Sequence, residues 1–155
     1  MNRTSKKSRT ILVLEDEQSL LGVIKAKLEK EGIRVLTSRS VEKAFSSDLK
    51  KSKSGGVTLN SVKTALKHVE DLEQVDAIWL DHNLVGEENG LDFVTKFKRN
   101  GGHWSKIPIF VVSNTADPDL VKTYIRLGIN KYYVKAENRL DTIVADIHSS
   151  LAHST

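Results

Sequence analysis

Asp81 stands at the end of an apolar run, Ala77-Ile78-Trp79-Leu80, that reads as a buried strand. Other strand-like runs end in the same way: Glu15 and Asp16 follow "ILVL", Ser113 follows "FVV", and Lys135 stands within "YYVK". A single Asp at a strand end is ordinarily a turn or cap residue. Four strand ends carrying carboxylates, a hydroxyl and an ammonium read as a site. Glu15, Asp16 and Asp81 offer hard oxygen ligands suited to Mg²⁺, which keeps several waters and takes one or two carboxylates plus a phosphate. Without a cation, three packed carboxylates would force at least one to hold a proton. Lys135 and Ser113 would donate to an anion placed near Asp81, one as a point charge and one as a hydroxyl. Such a set suits phosphoryl transfer onto aspartate, where catalysis is mainly positioning and charge stabilisation.

The elements that must position these residues alternate along the chain. Strands are expected at 10–14, 33–37, 76–80, 107–112 and 131–135. Leu20, Leu21, Ile24 and Leu28 recur at helical spacing, and Gly32 follows as a C-terminal cap. A second helix opens at Asp117-Pro118, carries Leu120, Val121, Tyr124, Ile125 and Leu127, and closes at Gly128. A last helix, 139–152, carries Leu140, Ile143, Val144, Ile147 and Leu151. This alternation implies an α/β fold, a mostly parallel sheet with helices on both faces. Ligands of such sheets bind beyond the carboxyl ends of the strands, where strand order reverses. The stretch 38–75 is longer than one helix and two turns require. Helical pattern appears near 41–49 and 62–72, on either side of "KKSKSGG" at 50–56, so an insertion around 38–60 is expected on one domain spanning 9–152, after a basic flexible tail at 1–8.

Composition excludes several classes. The chain has no cysteine, which removes disulfide and thiolate chemistry and fits a reducing cytoplasm. No run approaches the roughly 20 apolar residues of a membrane span. The net charge of +4 rests partly on Arg3, Lys6, Lys7 and Arg9 in the tail and on Lys50, Lys51 and Lys53 in a Ser/Gly-rich stretch. With no interleaved aromatics and no helix-turn-helix pattern, a solvated tail and loop are expected, not a nucleic-acid interface. The histidines show no metal-ligand spacing and read as surface residues, His82 included. Trp79 reads as core, and Trp104 as a packed loop residue.

As a set, "ILVLEDE", "IWLDHNL", "IPIFVVSN" and "GINKYYVKA" resemble the motifs of the response-regulator receiver domain, the CheY-like fold of two-component signalling. Five residues from Pro108 to Ser113 and 22 from Ser113 to Lys135 also match. The resemblance spans most of 9–152 and implies a doubly wound, five-stranded parallel sheet in flavodoxin-like order 2-1-3-4-5. It implies phosphorylation at Asp81, with Asp16 a direct Mg²⁺ ligand, Glu15 acting beside it, and the Asn83 backbone carbonyl completing the metal set. It makes Ser113 and Lys135 the groups that meet the phosphoryl oxygens, Tyr132 the ring that changes rotamer between states, and Asn83 and Thr115 the positions that tune hydrolysis. The partners implied are a sensor histidine kinase or a histidine phosphotransfer protein. Because the chain ends in the last helix, delivery to a separate output protein is expected, with no fused output domain and no membrane attachment.

Some positions depart from the family pattern. Ala136 stands where proline usually follows the lysine after a cis bond, and a cis bond before alanine costs about 2.5–4 kcal/mol. The loop after Lys135 is therefore expected to differ. Asn114 replaces the usual small residue, "LVGEENG" lacks a proline and is one residue longer, and Glu15 replaces the commoner aspartate. Three alternatives compete with a phosphorylatable switch. A Mg²⁺-dependent phosphohydrolase would want an acid two residues after the nucleophile, where Asn83 stands. A degenerate receiver that only binds partners would not need Asp16, Asp81, Ser113 and Lys135 together. A flavin protein would want a phosphate-cradling loop after the first strand. A switch that is not a turnover enzyme is the expectation.

Overall fold

A computed structural model of the chain describes residues 8–38, 75–84, 86–99 and 106–152. Runs rich in β-branched, aliphatic and aromatic residues form five strands: β1 (Thr10–Leu14), β2 (Arg34–Ser38), β3 (Ala77–Leu80), β4 (Ile109–Ser113) and β5 (Lys131–Val134). Between and after them run α1 (Gln18–Lys30), α2 (Gly90–Arg99), α3 (Pro118–Arg126) and α4 (Leu140–Ala152). All strand pairs are parallel and the order is β2-β1-β3-β4-β5, as expected. β1 has the expected bounds, and the other strands shift by one or two residues at one or both ends. β4 starts after Pro108, which has no N–H for the ladder and contributes its carbonyl to Ile78 instead, at 2.9 Å. The helical patterns near 41–49 and 62–72, the loop at 50–56, residues 1–7 of the tail and Trp104 lie outside the described residues.

Strand alternation divides the core into two halves. Ile11, Val13, Ala77, Trp79, Phe110, Val112 and Tyr133 face α1 and α4, meeting Ile24, Leu28, Ile143 and Ile147. Leu12, Leu14, Ile78, Leu80, Ile109 and Val111 face α2 and α3, meeting Phe93, Phe97 and Tyr124. β1, β3 and β4 are buried throughout, which is why they read as continuous apolar runs rather than alternating ones. The same alternation decides where strand-end residues stand. Glu15, Asp81 and Lys135 continue the α1/α4 series, whereas Ser113 and Tyr132 continue the α2/α3 series.

Helix ends fix how these layers meet. After α1, Gly32 (φ +78°) takes the left-handed conformation, with Gly32 N–H donating to Glu29 O and Ile33 N–H to Leu28 O. Gly128 (φ +95°) ends α3 with the same paired bonds, to Ile125 O and from Ile129 to Tyr124 O. Asp117 caps α3, its carboxylate accepting from Asp119 N–H at 3.1 Å, with Pro118 following. α2, which the sequence left unassigned, opens on a reciprocal cap: Asp92 N–H donates to Asn89 Oδ1 (3.1 Å) and Asn89 N–H to Asp92 Oδ2 (2.8 Å). Asn89→Ala removes one half of this cap and is expected to destabilise the protein by about 1 kcal/mol. A lower urea midpoint with an unchanged m-value would register the loss.

Candidate functional site

The sheet register assembles the site. Leu14 pairs with Leu80, so Glu15 and Asp81 leave adjacent strands at the same level, and Asp81 N–H donates to Leu14 O at 2.9 Å. Ser113 pairs with Val134, and Lys135 N–H donates to Ser113 O at 2.8 Å. The crevice lies where β1 leads to β2 on one side and β3 to β4 on the other, the reversal of strand order at which open sheets take ligands.

The side chains there are buried and charged. Glu15 is 1% exposed and Asp81 4%. Lys135 Nζ donates to Glu15 Oε1 at 2.9 Å and to Asp81 Oδ2 at 3.1 Å. Each carboxylate takes a backbone N–H on its other oxygen, from Glu17 and Asn83 respectively, both at 3.2 Å. One oxygen from each of Glu15, Asp16 and Asp81 lies within 4.8 Å of the others. Burial pushes the Glu15 carboxyl up to about 7, with the Asp81 charge adding to the rise and Lys135 opposing it. Burial lowers the Lys135 pKa, but its bond to Glu15 and the Asp81 charge outweigh that and leave it raised. One ammonium therefore does not fully compensate the carboxylates around it. Three converging hard oxygen donors with surplus negative charge fit a divalent cation.

The remaining expected residues surround this centre. Ser113 is fully buried, and its Oγ accepts from Thr115 N–H at 3.3 Å. No hydrogen bond joins it to Asp81 among the described residues. Tyr132 donates from its hydroxyl to the Thr115 carbonyl at 2.6 Å, so its ring already reaches the loop that follows Ser113. Asn83 is exposed beside Asp81. The segment after Lys135 is a tight turn closed by Glu137 N–H to Val134 O at 3.0 Å, with no cis peptide bond among the described residues. The absence of a cis bond agrees with the departure expected at Ala136.

His82 corrects the surface assignment. It is half-buried, its Nδ1 lies 2.7 Å from the Tyr124 hydroxyl, and its ring meets the Tyr124 ring edge-on at 5.7 Å. Burial lowers its pKa. Spacing alone could not reveal this contact, but a tyrosine on the apolar side of a helix was a signal, since a buried phenol seeks a partner. Trp79 is fully buried as expected, and His148 is exposed.

Comparison with known proteins agrees with the geometry. No curated protein matches the sequence. The phosphorylated cyanobacterial phytochrome response regulator RcpA has a TM-score of 0.71 at 20% identity, covering 96% of this chain and 97% of its own. The Mn²⁺-bound form of response regulator Rcp1 has a TM-score of 0.70 at 20% identity, covering 95% and 97%. The chemotaxis protein CheY4 of Vibrio cholerae has a TM-score of 0.67 at 16% identity, covering 92% and 98%. At these identities the likeness is one of fold. The family model described as "Cyclic-phosphate processing Receiver domain" matches residues 10–123, from β1 through most of α3. The chain belongs to this family of receiver domains.

Proposed function

We propose that the chain is a phosphorylatable switch in which Asp81 accepts a phosphoryl group from a histidine kinase or a histidine phosphotransfer protein. The observation that carries this is the two-carboxylate bridge: Lys135 holds Asp81 and Glu15 together at the strand-order reversal. An Asp81 oxygen forms a bond to phosphorus while the donor's P–N bond breaks and the donor nitrogen keeps the electron pair. With a small acyl phosphate, the P–O bond breaks instead. Lys135 is in place to pair with a phosphoryl oxygen, because it already bonds the carboxylate that would carry it. Ser113, one residue beyond β4's pairing with Tyr133, would turn its hydroxyl from the Thr115 amide toward the new oxygens.

A divalent cation, Mg²⁺ in this proposal, would be held by Asp16, Asp81 and the Asn83 carbonyl, with Glu15 beside them. Its chemistry would be neutralisation of phosphoryl charge. Binding of a divalent cation by the Mn²⁺-bound Rcp1 supports this, as does the phosphorylated state of RcpA. A switch accounts for the site better than a turnover enzyme, since the residue two after Asp81 is Asn83 and supplies no acid. The state of Asp81 would reach a partner through Ser113, Tyr132 and the surface of α3, β5 and α4.

Intact mass after incubation with a small acyl phosphate tests the acceptor. Wild type is expected to gain one phosphoryl group only with Mg²⁺ present, and Asp81→Asn to gain none. Equal labelling of Asp81→Asn would place the acceptor elsewhere. Asp16→Ala is expected to weaken Mg²⁺ binding roughly tenfold or more, the factor given by about 1.4 kcal/mol of lost ligation. A Trp79 fluorescence titration would measure it.

The raised Glu15 pKa sets a pH dependence. An acid with a folded pKa above its unfolded value contributes stability that is present below about 4.5 and lost as pH rises through about 7. Glu15→Gln mimics the protonated form and is expected to melt a few degrees above wild type at pH 8 without metal. The difference is expected to shrink toward pH 4.5 and to reverse when Mg²⁺ is added. Melting curves of both proteins across this range, with chelator or with Mg²⁺, provide the check.

A further inference from the structure

Three segments of the chain meet at the hydroxyl of Tyr124. Tyr124 is fully buried in α3, and its hydroxyl is hydrogen-bonded to His82 Nδ1 at 2.7 Å. His82 directly follows Asp81, and its backbone carbonyl accepts from Gly90 N–H, the first residue of α2, at 3.0 Å. A Cβ at Gly90 would collide with the Tyr124 hydroxyl and come within 3.1 Å of the Asp81 carbonyl oxygen, so glycine is what lets the phenol reach this junction. Burial raises the phenol's pKa, and the O–H is retained at ordinary pH. On its other side the Tyr124 ring lies 5.7 Å from that of Tyr132, whose hydroxyl reaches the Thr115 carbonyl in the loop after Ser113. A continuous chain of contacts thus runs from Asp81 through His82, Tyr124 and Tyr132 to the segment carrying Ser113.

We propose that Tyr124 is a positioning residue of the phospho-acceptor site: through His82 its hydroxyl fixes the loop carrying Asp81 and Asn83 and ties that loop to α3. This rests on the assignment of Asp81 as acceptor. The Asp81 carboxylate is aimed partly by its bond from Asn83 N–H, and Asn83 lies next to His82. Holding His82 at both its carbonyl and its ring therefore limits how far the 81–83 backbone can turn. Small misplacement of a reacting group costs rate steeply. Coupling is also reciprocal, so a change in the Asp81 loop on phosphorylation must be felt by α3 through the same bond.

Tyr124→Phe keeps the ring and removes only the hydroxyl, and His82→Phe removes the partner from the half-buried side. The rate of Asp81 labelling by a small acyl phosphate with Mg²⁺ is measured by intact mass for wild type, both single variants and the double variant, well below each melting temperature. Each single variant is expected to label roughly five- to tenfold more slowly. The double variant is expected to be no slower than either single one, because both remove the same bond. Wild-type rates in both singles, or single effects that multiply in the double, would overturn the proposal; loss of melting temperature with rates unchanged would assign the pair a packing role only and overturn it equally. If Tyr124→Phe does not fold, His82→Phe alone decides, with a wild-type rate refuting the tie. Absence of labelling in wild type itself would instead refute the assignment of Asp81.

Discussion

The bridge from Lys135 to Glu15 and Asp81 is the contact on which the rest of the site depends. Two carboxylates that are almost fully buried sit on neighbouring strands, and bringing ions out of water costs several kcal/mol each unless charge and hydrogen bonds compensate. Each carboxylate here has one ammonium contact and one backbone N–H. The ammonium comes from the far strand of the sheet, after β5, so closing the bridge requires β3, β4 and β5 to be in register. Removing Lys135 would leave two buried carboxyls without their cation and force one to hold a proton, a larger perturbation than losing any single surface ion pair such as Lys131–Asp146.

Strand alternation places the site at the boundary of two cores. Glu15, Asp81 and Lys135 extend the strand faces packed on α1 and α4, and Ser113 and Tyr132 extend those packed on α2 and α3. The charged groups are thus anchored by one half of the core, whereas the hydroxyl-bearing groups belong to the other. On the proposed function, a change in charge at Asp81 would reach Ser113 across that boundary.

Much of this was legible in the sequence, for identifiable reasons. Buried parallel strands are continuous apolar runs, so β1, β3 and β4 announced themselves, and the residues ending them followed. Gly32, Gly128 and Asp117-Pro118 marked helix ends because each has a fixed conformational role. Strand order, by contrast, came from resemblance, since no local pattern states which strands are neighbours. α2 escaped assignment because its run "GLDFVTKFKR" opens on glycine and has few aliphatic residues, although Asn89 and Asp92 are capping types. His82 was misjudged for a different reason: its partner lies 42 residues away, and only the packing of α3 over Gly90 brings them together. Spacing along the chain carries no information about such a contact.

The surplus charge left by the bridge has a further consequence. Burial pushes the Glu15 carboxyl up to about 7, so near neutral pH it is only partly ionised. A ligand bringing positive charge to the folded chain would find no comparable site in the unfolded one, so its binding free energy would become stability. On the proposed function, the electrostatic cost of the metal-free site and its affinity for a cation would be two expressions of the same deficit. A substitution that relieves the first, by removing a carboxylate or its charge, would then weaken the second. On the proposed function, stability of the metal-free site and readiness to accept a phosphoryl group would oppose each other at these strand ends.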